Sequence, residues 1–232
     1  MVMTEHVLFF DIDGTMLSTG GAGQRAMELA LSEEFRIADP FQQILTAGRT
    51  DRGIEDEIFA RYGIPATDVS RQRFMRAYLD RLPDCLRLLP GGLLPGVPEL
   101  LQSLSEREDV HLSLLTGNYF EGAVIKLRHF GIDHFFEDSG GFGDHHADRN
   151  DVAHVALAVV RERLQRAVAG EDTVVIGDTP ADIRCARAIG ARAVAVATGV
   201  YSCEQLRPAA PDHLFETLVA TGDVIQRLLT KC

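Results

Sequence analysis

No run of apolar residues in this 232-residue chain approaches the roughly 20 needed to cross a bilayer, so no transmembrane helix is expected. Basic clusters are missing too. The net charge of −11, with no concentrated Lys/Arg patch, excludes a nucleic-acid surface of the phosphate-backbone type and leaves only small phosphates met by local cations. The cysteines Cys85, Cys185, Cys203 and Cys232 are scattered without CxxC spacing, which suggests neither a zinc site nor a disulfide framework and points to a reduced, cytoplasmic home. Met1 to His6 has no basic n-region and leads into an apolar run too short for a signal peptide, in keeping with that location. Internal repeats and low-complexity segments are absent. So is G-x-G-x-x-G: Gly20-Gly21-Ala22-Gly23 follows a strand and opens a helix, but its spacing fails for a dinucleotide, and acids at the preceding strand end would repel a pyrophosphate.

What is present is the composition of a soluble globular protein, 46% hydrophobic and 25% charged, long enough for one core domain plus a smaller insert. Val7 to Phe10 reads as a buried strand. Small residues from Ser18 to Gly23 form a first hinge, and apolar residues at helical spacing follow over Gln24 to Phe35, Asp51 to Tyr62 and Asp68 to Leu82. Pro40, Gly48, Gly63 and Pro65 mark the turns between these helices, and Pro90 to Gly96 forms the return hinge. An inserted helical cap over residues 17–89 is therefore expected, with 1–16 and 90–232 as the core. Beyond the return hinge the pattern alternates. Helices are expected at Pro98 to Arg107, Phe120 to Phe130, Asp151 to Ala167 and Ala181 to Ile189, with strands at His111 to Leu115, near Phe135 to Glu137, at Thr173 to Ile176 and at Ala193 to Ala197. Such alternation is that of an α/β fold, a Rossmann-like parallel sheet with helices on both faces.

The chemistry concentrates at strand ends, where ligands of such folds bind. Asp11 and Asp13 close the first apolar run in Asp11-Ile12-Asp13-Gly14-Thr15. Residues two apart on an extended chain point the same way, so the two carboxylates crowd one spot unless a cation or a reaction uses them. Strand punctuation is the competing explanation. A second strand ends Leu114-Leu115-Thr116-Gly117-Asn118, where a hydroxyl and free backbone N–H groups can bind an oxyanion, or where Thr116 simply caps a helix. A third ends Ile176-Gly177-Asp178-Thr179-Pro180-Ala181-Asp182, and oxygen ligands from several strand ends suit Mg²⁺.

These three segments resemble the motifs of the haloacid dehalogenase-like hydrolase superfamily, in its capped phosphatase branch and nearest the phosphoglycolate phosphatase group. The resemblance covers essentially the whole chain. It implies that Asp11 is the nucleophile forming an aspartyl-phosphate, and that Asp13 protonates the leaving oxygen and later activates water. Thr116 would hold a phosphate oxygen, with Gly117 and Asn118 binding substrate beside it. Asp11, the backbone carbonyl of Asp13 and Asp178 would hold Mg²⁺, with Asp182 in support. The cation is needed because a carboxylate about 4 Å from a phosphate dianion faces roughly 8 kcal/mol of repulsion at an effective dielectric near 20. Dehalogenating members lack the second acid, so Asp13 favours phosphoester cleavage.

Relatives often carry a Lys-Pro pair in their third motif, yet Asp144 to Asp151 holds no lysine. Either Lys126 or Arg149 can supply that charge. Lys126 is favoured, because an ammonium is a compact charge that bridges carboxylate and phosphate, and eight residues after Asn118 place it two turns along the same helix face. Arg149 then contributes to substrate binding. Asp144, His145, His146 and Asp148 read as a polar loop rather than a second metal site, since adjacent ligands on one short loop rarely converge. In the cap, Arg49 sits in the turn Thr46 to Asp51, where its guanidinium can fork onto a substrate anion or pair with a neighbouring acid. The expected activity is Mg²⁺-dependent hydrolysis of a small, phosphoglycolate-like phosphometabolite. A sugar-phosphate mutase and a non-catalytic phosphate-binding regulator are the alternatives.

Overall fold

The structure, a computed structural model, describes residues 6–37, 44–136 and 139–230; Pro40, Glu137 and Cys232 lie outside them. In chain order its strands are β1 (His6–Phe10), β2 (Leu17–Ser18), β3 (Gly92–Leu93), β4 (Val110–Leu115), β5 (Gly140–Gly141), β6 (Thr173–Gly177), β7 (Arg192–Val196) and β8 (His213–Phe215). Its α-helices are α1 (Ala22–Phe35), α2 (Asp51–Tyr62), α3 (Asp68–Leu88), α4 (Val97–Ser105), α5 (Phe120–His129), α6 (Arg149–Leu164), α7 (Pro180–Ala188), α8 (Cys203–Leu206) and α9 (Thr221–Leu229).

Six strands form one parallel sheet in the order β5-β4-β1-β6-β7-β8. Alternate residues of β1 serve opposite faces: Leu8 and Phe10 join a cluster under α4, α5 and α9, while Val7 and Phe9 join one under α6 and α7. Because both faces are covered, the strand is apolar throughout, which is why it reads as a continuous run rather than an alternation. The chain moves to one side of β1 for β4 and to the other for β6, so the sheet reverses direction at β1. Phe10 pairs with Leu114 on one side and Ile176 on the other, which brings three strand ends level at that reversal. This is the crevice where α/β sheets bind ligands.

Helices α1, α2 and α3 enter and leave through a two-residue antiparallel ribbon, Leu17 opposite Leu93 and Ser18 opposite Gly92. They bury a cluster of their own around Leu31, Ile58, Phe59, Phe74 and Tyr78, to which Tyr119 of the turn before α5 is added. Thr50 and Thr67 cap α2 and α3 by accepting from Gly53 and Ser70 N–H, so the threonines before these helices set where they start.

Three boundaries differ from the sequence pattern. Helix α3 continues through Pro83 to Leu88, because its buried face, Phe74, Tyr78, Leu82, Cys85 and Leu86, runs past the proline and outweighs the lost backbone bond. No strand starts at Phe135: Asp133–Phe135 is a 3-10 turn, and the edge strand is Gly140–Gly141, whose glycines carry no strand signal. Gly141 is needed there because a Cβ would lie 2.5 Å from Val152 O. Helix α6 starts at Arg149, capped by Asp148, and beyond Ala197 β8 and α9 complete the sheet and one helical layer. Cys85, Cys185 and Cys203 are free thiols. Among the described residues no helix is long and apolar enough to cross a membrane.

Candidate active site

Asp11 directly follows β1, its N–H bonded to Ile176 O at 3.0 Å, and its carboxylate is buried. The chain then turns at Gly14, in the left-handed region at φ 85°, so that Gly14 N–H returns to Leu17 O at 2.8 Å. A Cβ at Gly14 would come within 2.5 Å of Asp178 Oδ2, and one at Gly199 within 1.7 Å. Glycine at both positions lets two loops close around Asp178. Thr15 Oγ1 donates to Asp178 Oδ1 at 3.0 Å, and Thr198 Oγ1 donates to Gly14 O at 2.7 Å, tying the loop after β7 to the turn after β1.

Two cations divide the acids between them. Arg149, at the start of α6, donates through Nη2 to Asp11 Oδ1 at 2.9 Å and also to Asp182 Oδ1. The other oxygen of Asp182 accepts from Thr179 N–H at 2.9 Å and Thr179 Oγ1 at 2.7 Å, closing a capping box on α7. Lys126 of α5 donates to Asp13 Oδ2 and to Asn118 Oδ1, both at 2.6 Å. Asn118 Nδ2 donates to the same Asp13 oxygen at 2.8 Å and to Thr116 Oγ1 at 2.7 Å. Thr116 Oγ1 also accepts from Asn118 N–H at 3.3 Å. With both lone pairs of that hydroxyl occupied, its proton is the part left for a ligand.

Electrostatics separates these groups. Burial, opposed by Arg149, pushes Asp11 up to about 6. Burial, joined by the negative charges of Asp182 and Asp11, pushes Asp178 up to about 8. Oxygens of Asp11, Asp178 and Asp182 lie within 4.8 Å of one another. Buried acids raised in this way are under-compensated, and hard oxygens from three carboxylates are the donor set of a hard divalent cation. Asp182 already serves Arg149 and Thr179, so Asp11 and Asp178 are the freer pair.

Asp11, Asp13, Asp178, both cations and Thr116 line one side of a cavity of ≈ 440 Å³, and the inserted helices line the other with Gln24, Met27, Asp51, Ile54 and Tyr78. That is the size of small-molecule sites, about 300–1,000 Å³. Arg49 also lines it, but its guanidinium pairs with Glu57 and donates to Gly53 O at 2.8 Å, the neighbouring-acid alternative raised by its sequence. Gly117 and Asn118 come from the turn after β4. In the polar loop Asp144 accepts from Phe120 N–H at 2.9 Å and Asp148 caps α6, so these two acids terminate helices. Among the described residues the only metal-competent acid cluster is that of Asp11, Asp178 and Asp182.

Sequence reasoning assigned no role to Thr15, Thr198, Gly199 or Asp51. Thr198-Gly199 was findable, since it repeats after β7 the Thr-Gly exit of Thr116-Gly117. Asp51 carried no signal beyond being an acid in a helix's first turn.

Residues 8–187 match the haloacid dehalogenase-like hydrolase family. The chain belongs to that family, in its phosphatase branch. It is 29% identical over 230 residues to a phosphoglycolate phosphatase of Caulobacter vibrioides, covering 96% of this chain and 92% of that one. Among solved structures, a hydrolase from Pseudomonas syringae superposes with a TM-score of 0.70 at 20% identity, over 97% and 100% of the two chains. CbbY from Rhodobacter sphaeroides in complex with phosphate gives 0.67 at 20% identity, over 95% and 97%. At these identities the superpositions establish a shared fold.

Proposed function

We propose that this protein hydrolyses the phosphomonoester of a small metabolite, with Mg²⁺, through an aspartyl-phosphate on Asp11. The observation that carries the reading is the division of the two motif-one acids between two cations, Asp11 with Arg149 and Asp13 with Lys126, beside Asp178. Arg149 holds Asp11 by Oδ1, which leaves Oδ2 to attack phosphorus. Lys126 and Asn118 both hold Asp13 by Oδ2, which leaves Oδ1 to carry a proton to the leaving oxygen and to take one from water in the second step. Thr116 donates its hydroxyl proton to a phosphate oxygen.

Lys126 and Arg149 thus have separate jobs. An arriving phosphate dianion competes with Asp13 for the Lys126 ammonium; each unit charge at about 4 Å is worth roughly 4 kcal/mol at an effective dielectric near 20. As the ammonium turns to the phosphate, Asp13 is released from Lys126 and its free oxygen faces the leaving group. Mg²⁺ would be held by Asp11, the carbonyl of Asp13 and Asp178, with Asp182 behind them, and when bound supplies the positive charge that lets a carboxylate meet a phosphate. Residues 17–89 act as the cap that selects the leaving group, over a catalytic core of residues 1–16 and 90–232. The Caulobacter vibrioides relative, named a phosphoglycolate phosphatase, supports a small phosphorylated acid or a similar cytoplasmic metabolite as substrate.

The test is phosphate release from a phosphometabolite panel that includes 2-phosphoglycolate and p-nitrophenyl phosphate. Release is expected with Mg²⁺, lost on chelation and lost in Asp11→Asn. No release from any substrate would favour a binding role, and phosphoryl transfer to a sugar phosphate rather than to water would favour a mutase.

A further inference from the structure

Helix α5 begins without a local cap: the side chain of its N-cap residue, Tyr119, accepts from none of its leading N–H groups. Such groups are costly to leave unmet in a buried place. Here the first two are met from far along the chain. Tyr119 N–H donates to Asp51 Oδ2 at 2.8 Å, and Phe120 N–H to Asp144 Oδ2 at 2.9 Å. Asp51 belongs to α2 of the inserted helices, and its contact is double, because its own N–H donates to Gly117 O at 2.7 Å. One residue therefore grips the peptide group before Asn118 and the peptide group after it.

The approach is close enough to dictate sequence. A Cβ at Gly117 would lie 2.0 Å from Arg49 O. Two neighbouring contacts brace the same junction: Thr50 Oγ1 donates to Ala147 O at 3.1 Å, and Tyr119 OH donates to Glu55 Oε2 at 2.7 Å. Between the two gripped peptides lies the side chain that touches Thr116, Asp13 and Lys126 at once.

We propose that Asp51 is a positioning residue: it clamps the backbone on both sides of Asn118 and so holds Asn118 and Lys126 in register with Asp13. In consequence, the catalytic turn is complete only while the inserted helices are docked on the core. The inference extends the phosphatase reading above, yet the clamp itself can be tested without turnover.

Asp51→Ala and Asp51→Asn are compared with the parent. In Asp51→Ala, kcat on p-nitrophenyl phosphate is expected to fall by up to about 100-fold, the scale of an ångström misplacement, with KM within about threefold. Asp51→Asn, whose amide oxygen still accepts from Tyr119 N–H, is expected to restore kcat to within about fivefold. By NMR, the Asn118 side-chain amide should shift and the Tyr119 amide should exchange at least about tenfold faster in Asp51→Ala, while amides of β1 stay unchanged. Should Asp51→Ala not fold, Asp51→Glu, which keeps the charge but displaces the acceptor by a methylene, is read in the same way. An unperturbed Asn118 amide, an unchanged kcat, or an Asn variant as impaired as the Ala variant overturns the proposal. If the parent hydrolyses no phosphomonoester, the phosphatase reading falls, and the Asn118 and Tyr119 signals alone decide whether the clamp exists.

Discussion

Replacing Arg149 by Met keeps an unbranched apolar stem but removes the guanidinium, with its charge and its hydrogen bonds to Asp11 and Asp182. The side chains of Arg149, Asp11 and Asp182 are 7%, 6% and 2% exposed, so water cannot take over the lost partner. Two buried carboxylates beside Asp178 would then face one another. Breaking a buried ion pair on one side costs about 3–5 kcal/mol. For 232 residues, with about 2.1 cal/mol/K of unfolding entropy per residue, each kcal/mol moves Tm by about 2 °C, so a fall of about 6–10 °C is expected in chelator. Added Mg²⁺ should then separate parent from variant. A guanidinium about 5 Å from a divalent ion repels it by up to roughly 7 kcal/mol at an effective dielectric near 20, so its removal tightens metal binding. The Mg²⁺-induced rise in Tm should be larger in the variant, while phosphate release falls. Thermal unfolding followed by circular dichroism, with chelator and with Mg²⁺, measures both effects. A variant melting within about 2 °C of the parent in chelator, or showing the same Mg²⁺ response, would refute the claim that Arg149 neutralises the buried acids.

Two further outcomes follow from the same contrasts. Lys126→Met should lower kcat by about 100-fold yet cost no more than about 1 kcal/mol of stability, because its partner Asp13 is 39% exposed and can be hydrated; a denaturant midpoint as depressed as that of Arg149→Met would contradict this. Asp51 is pushed by burial, against the attraction of Lys126, up to about 7, with Asp13 and Asp144 adding to the rise. A carboxyl raised in the folded state binds more protons folded than unfolded, so it removes stability as pH rises from about 4 to 7. Relative to Asp51→Asn, the parent should therefore lose up to about 4 kcal/mol across that window and nothing further above it. Urea unfolding at pH 4, 5.5, 7 and 8.5 checks this, and a constant difference would remove burial of a charged Asp51 as the cause.

Much of the core was legible because β1, β6 and β7 bury both faces, which writes itself as apolar runs such as Val7 to Phe10, Val174 to Ile176 and Ala193 to Val196. The edge strand was not legible, since Gly140 and Gly141 are selected by close approach rather than by burial. Helix α3 showed the same limit. Pro83 is a local stop signal, and only packing on the inserted cluster carries the helix past it. In the site, Asp11, Thr116 and Asp178 stood out because each follows a strand directly, and Asp13 because it lies two residues beyond Asp11, so sequence adjacency already stated their position.

The amino-acid sequence alone determined the α/β alternation, the inserted helices and the three strand-end motifs, because each of these depends on residues that are neighbours along the chain. Only the tertiary structure decided how the charges pair: Lys126 with Asp13, Arg149 with Asp11 and Asp182, Arg49 with Glu57, and Asp51 with the backbone around Asn118. These partners stand 8 to 138 residues apart, and a charge's partner is set by distance in space and by local desolvation. Neither quantity exists until the chain has folded.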